Sequence, residues 1–196
     1  MKITKALKKE KKSIRNFFII MILLFIFLPI ITFLSQINSL FLVGYLLFIE
    51  ILIVIALINK LNYHNLKFSC TNNKLKFKSG LFTRESTILC DKIVVVHTYK
   101  EKEDMEIIIM STVKFRNKYL RPVSKGFLKK FPEASNEYLR IKKLEPEESY
   151  FFQIIRKGAL KKYILLDTIY KNCVKASYTA SAIENIKIAR EQIEIY

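Results

Sequence analysis

Two uninterrupted apolar stretches, residues 17–34 and 40–58, open the chain, and a mixed polar and apolar text follows. A helix rising ~1.5 Å per residue crosses ~30 Å of hydrocarbon in ~20 residues, which both stretches approach. Between them lie Ser35, Gln36, Ile37, Asn38 and Ser39, uncharged and turn-forming, so the pattern predicts an antiparallel membrane hairpin. A cleaved signal peptide fits less well, because no small-x-small site follows Leu34. After the second stretch the period changes from helical to alternating. Leu66 to Thr71 alternates, Asn72 and Asn73 supply a tight turn, and Lys74 to Lys78 alternates again with Leu75 and Phe77 on one face. Further strands are predicted over residues 86–90, 93–99, 105–111 and 113–120.

The last third reads differently. Pro132 and Pro146 bracket a loop-rich connection. Phe151, Phe152, Ile155 and Leu160 suggest a helix that Gly158 breaks or bends. From Tyr163 onward the apolar residues recur at three and four, which suits one long helix or two shorter ones. The division is therefore a basic tail over residues 1–16, a two-helix transmembrane hairpin over 17–58, a β domain over 59–145 and a helical segment over 146–196. The fold class is a membrane α-hairpin plus an α+β domain, with a strongly bent antiparallel sheet and C-terminal helices.

Residues 68–96, FSCTNNKLKFKSGLFTRESTILCDKIVVV, resemble the bacterial pleckstrin-homology-like membrane proteins. The matches are Gly80 after a strand, the basic Arg84, Ile88 on the next strand, and Ile93 with Val96. A two-helix hairpin just before this text is also similar to that family. The resemblance implies a seven-stranded bent sheet capped by a helix, and a role in binding or scaffolding rather than catalysis. The chain departs from it at Leu89, where the family often has proline, and in its longer text after Leu120.

Charge sets the orientation. Of 34 basic residues, seven precede Phe17 and none lies in residues 17–58, while Lys60 and Lys67 follow the second stretch. Basic residues stay on the cytoplasmic side, so both termini are expected at the cytoplasmic face of the inner membrane. The formal net charge of +17 calls for an anionic partner. Anionic membrane lipid is the first candidate and an acidic protein partner the second. Residues 113–130 concentrate the charge in Lys114, Arg116, Lys118, Arg121, Lys125, Lys129 and Lys130, with no acid among them. Read as a strand, the alternate bases share a face that meets headgroups, each contributing about 1 kcal/mol near an anionic surface. A solvated edge that blocks strand pairing is the competing use. Phe115, Tyr119 and Phe127 would permit base stacking, but no nucleic-acid-binding signature accompanies them.

Glu50 falls near the middle of the second apolar stretch. A charge there would cost about 2.5–3.5 kcal/mol, so a neutral, hydrogen-bonded carboxyl is expected. Pro29 leaves the Phe25 carbonyl without a backbone donor, and Glu50 either donates to it or faces a second copy of the chain. Phosphate-loop, dinucleotide-binding, zinc-protease and nucleophile-elbow patterns are absent from the sequence, which has only four glycines and two histidines. Cys70, Cys90 and Cys173 lack the spacing of a disulfide framework or a metal site and read as small buried residues. The sequence thus predicts no cofactor, no metal and no catalytic residue.

Overall fold

The structure, a computed structural model, describes residues 2–35, 40–101, 104–115 and 117–193. Helix α1 (Ile3–Leu34) and helix α2 (Leu40–His64) are both long and apolar enough to cross a membrane. α1 begins at Ile3, so the basic tail is the first half of this helix rather than a separate element. It runs through Pro29 without ending.

The three strands β1 (Leu66–Thr71), β2 (Lys74–Ser79) and β3 (Ser86–Leu89) form an antiparallel meander. Asn72 and Asn73 join the first two at φ 50° and 60°, as their tolerance of left-handed backbone suggests. A 3-10 turn at Cys90–Lys92 then carries the chain into a second sheet. Its members are β4 (Ile93–Glu101), β5 (Asp104–Ser111), β6 (Arg121–Pro122), β7 (Phe151–Ile155) and β8 (Ser177–Tyr178), in the order β6-β7-β5-β4-β8. Only β8 is parallel to its neighbour. Helices α3 (Lys125–Lys130), α4 (Pro132–Leu144), α5 (Lys161–Asn172) and α6 (Ala180–Ala189) complete the chain.

The apolar run Ile107–Ile108–Ile109–Met110 is buried on both faces, which is why β5 does not alternate with polar residues. Ile107 and Ile109 join a core with Leu75, Phe77, Ile155, Leu166 and Ile169, between the two sheets and α5. Ile108 and Met110 point the other way, onto Phe127, Phe131 and Ala134 of the α3–α4 segment.

Four expectations are corrected. The sheet is not a single strongly bent one: the turn at Cys90–Lys92 breaks the ladder, and two sheets that are not strongly curled result. Phe151–Ile155 is a strand in the sheet interior, not a helix, so the 59–145 and 146–196 segments share one core. A short, mostly apolar run satisfies either period, and pairing with β5 on one side and β6 on the other decided for the strand. The connection before it is largely helical, because Ser124 caps α3 by accepting from the Phe127 N–H and Pro132 fits the first turn of α4. Among the described residues, 113–120 form no strand. There Asn117 makes a turn, its N–H donating to the Lys114 carbonyl and its Oδ1 accepting from the Tyr119 N–H.

The domain is pinned to the C-terminal end of α2 and to the N-terminal half of α1. Gly80 N–H donates to the Asn65 carbonyl at 2.6 Å, Leu81 N–H to Asn62 Oδ1 at 2.9 Å, and Gly158 N–H to the Tyr63 carbonyl at 2.8 Å. Gly158 has φ +125°, and a Cβ there would stand 2.5 Å from Leu66 Cδ2. On α1, Glu10 meets His64 at 3.3 Å, and both the Thr4 N–H and its hydroxyl donate to Glu191, just past α6.

Candidate functional site

A cleft of about 280 Å³ lies where the end of the meander meets β6 and β7. Arg84, Lys118, Arg121, Arg156 and Lys157 line it, and among the described residues no carboxylate does. The elements set these positions. Arg84 lies in the loop that leaves β2, Lys118 and Arg121 leave the Asn117 turn, and Arg156 and Lys157 follow β7. Tyr119 Oη accepts from the Arg84 backbone N–H at 2.9 Å and so ties two of these segments together. Phe77, Tyr119 and Phe152 give the wall an apolar, aromatic part.

The interior wall is neutral and hydrogen-bonded. Asn117 Nδ2 donates to Gln153 Oε1 at 2.7 Å, and Gln153 Nε2 donates to Ser86 Oγ at 3.0 Å. All three residues are buried. The Ser86 hydroxyl accepts here and keeps its own proton to donate. Of the five cations, only Arg156 is in an ion pair among the described residues, its Nε 2.7 Å from Glu106 Oε1. Four positive charges therefore share the walls of one cleft without a carboxylate. Their mutual repulsion is relieved when an anion enters, and charge-assisted hydrogen bonds to it are stronger than neutral ones.

The predicted basic cluster is split. Lys118 and Arg121 reach the cleft, whereas Lys114, Lys125, Lys129 and Lys130 do not line it. Lys114, Lys125 and Lys129 are exposed, and Lys130 lies over the Tyr99 and Phe131 rings. Arg116 lies outside the described residues. Alternate spacing could not put these bases on one face, because the segment is turned rather than extended. Arg156 and Lys157 escaped the sequence reading once residues 151–160 were taken as helical. The signal was there: five residues between Pro146 and Gly158, Phe151 to Ile155, four of them apolar, fit a strand length. Across the structure the chain matches no family model, no curated protein and no solved structure.

Other chemistry-bearing groups have local uses. Glu50 is half-buried and its carboxyl makes no hydrogen bond among the described residues, so the bond to the Phe25 carbonyl is not formed. His97 is buried, with Nδ1 3.0 Å from Thr179 Oγ1 and 3.2 Å from Ser181 Oγ, and burial holds its pKa below the usual value. The three thiols gather, with Cys70 Sγ 3.5 Å from Cys90 Sγ. Hydrogen bonds from Cys173, and secondarily from Cys70, lower the Cys90 thiol against the effect of burial.

Proposed function

We propose that this chain is a membrane-anchored binding or scaffolding module of pleckstrin-homology-like build, non-catalytic and held at the cytoplasmic face of the inner membrane with both termini on that side. It contacts anionic lipid or an acidic protein partner. The observation that carries the reading is the acid-free cleft, which gathers five cations beside the exit of α2. The element order supports the likeness: a three-stranded meander, a second sheet, then α5 packed on β1 and β5. Reporter fusions test the orientation. A reporter active only in the cytoplasm should work after Tyr196 and be silent at Asn38; activity at Asn38 sinks the reading.

One observation favours a second reading, an accessory subunit of a larger membrane complex. Glu50 has no hydrogen-bond partner among the described residues, in a span where a polar group needs one. Purification in mild detergent separates the two: a stoichiometric membrane partner lost on Glu50→Leu favours the subunit.

A further inference from the structure

We infer that the cleft between the meander and β7 is a site for one phosphate-bearing anion, presented by a phospholipid headgroup, and that Phe82 enters the membrane interface beside it. The inference rests on the membrane reading above. With residues 40–58 in the hydrocarbon, Asn62 stands four residues past the edge, or ~6 Å at ~1.5 Å per residue. The headgroup layer adds about 5–7 Å to each side of the hydrocarbon. Asn62 therefore lies within that layer, and its Oδ1 holds the Leu81 N–H at 2.9 Å. The loop that leaves β2 is fixed at headgroup height.

The next residue in that loop, Phe82, is an apolar residue left 79% exposed. At the interface the ring has acyl chains to enter, as apolar residues of interfacial segments do. Two residues later comes Arg84, on the cleft. Lys157, also on the cleft, is next to Gly158, which is bonded to Tyr63 of α2. Two of the three segments that carry cleft cations are thus clamped to the membrane helix. The residues also match a phosphate in kind. Arg84, Lys118, Arg121 and Lys157 offer charged donors, and Ser86 adds a hydroxyl donor from the buried side. A free phosphate ester satisfies the same donors, but it makes no use of Phe82 or of the height of the loop.

The test uses the full chain in a neutral detergent, with bound lipid counted by native mass spectrometry. The probes are phosphatidylglycerol, phosphatidylcholine and glycerol phosphate. One phosphatidylglycerol should bind per chain in preference to phosphatidylcholine. The triple substitution Arg84→Gln, Lys118→Gln and Arg121→Gln should weaken it about tenfold or more, since each removes a charged hydrogen bond. The surface triple Lys114→Gln, Lys125→Gln and Lys129→Gln should leave it within about twofold, because these lysines do not line the cleft and make no direct bond to its anion. All six residues are exposed, so both triples keep the fold. Phe82→Ser should weaken the lipid and not glycerol phosphate. Equal losses from the two triples would overturn the cleft and leave the membrane-binding reading standing. No preference for phosphatidylglycerol over phosphatidylcholine would overturn the cleft and also remove lipid contact from that reading. Glycerol phosphate binding as tightly as the lipid, with Phe82→Ser inert, would overturn the lipid source in favour of a soluble phosphate ester.

Discussion

Lys162 is wholly excluded from solvent, and its ammonium donates to Asp104 Oδ1 at 2.5 Å and to the Arg156 carbonyl at 2.7 Å. Burial lowers its pKa, and Asp104 opposes that shift. Asp104 also accepts from the Tyr63 hydroxyl, so one carboxylate joins α2, β5 and α5. Removing one member of such a pair costs more when the charge left behind is the buried one. Asp104→Asn, which strands the ammonium, should destabilise the protein by about 3–5 kcal/mol. Lys162→Met should cost less, since Asp104 keeps access to water; thermal unfolding in detergent compares them. In the sequence Asp104 falls between the strands predicted over 93–99 and 105–111, with no motif to mark it. Its partner lies 58 residues away, and no local pattern connects the two.

Among the elements, those with a local cause were legible. The meander hairpin follows from alternation plus Asn72 and Asn73, and α5 and α6 from apolar recurrence at three and four. The elements that depend on distant partners were not. β7 exists because β5 and β6 pair with it on either side, and its apolar run alone suits a helix equally well. The glycine after it was read as a helix breaker, whereas it is a clamp. Gly158→Ala meets both a left-handed backbone and the Leu66 side chain, so about 1–3 kcal/mol of strain should appear as lost thermal stability. Gly126→Ala, inside α3 with nothing closer than 3.9 Å, should instead stabilise by up to about 1 kcal/mol. Equal effects at the two glycines would contradict the clamp.

At the scale of the molecule, the two apolar helices were readable residue by residue, since spanning is a matter of length and composition. The cleft was half readable. Lys118 and Arg121 stood out as charge, but Arg84, Arg156 and Lys157 join them only through the packing of two sheets. With the hairpin in a bilayer, the two ends of the domain stand at different heights. Asn62 is ~6 Å beyond the hydrocarbon, while Thr4, 13 residues before Phe17, is ~20 Å beyond it along α1. Thr4 holds Glu191, so the chain after α6 is the membrane-distal end. The protein has no tryptophan, which makes a single introduced one an unambiguous reporter. In vesicles of lipid brominated high in the acyl chain, Phe82→Trp fluorescence should be quenched and Gln192→Trp fluorescence should not. Quenching of both to the same extent would mean that the domain lies flat on the surface.

The bond between Thr4 and Glu191 also fixes an order of events during synthesis. The first helical turns emerge from the ribosome before any residue they will touch, and 187 positions separate the two partners. Thr4 must therefore wait for its partner until the residues through Glu191 have been made. With the hairpin already in a bilayer, α1 is tethered by then, so the late-arriving α6 end meets its partner over a short search volume. The anchor is in this sense also a folding template, present before the domain that docks on it.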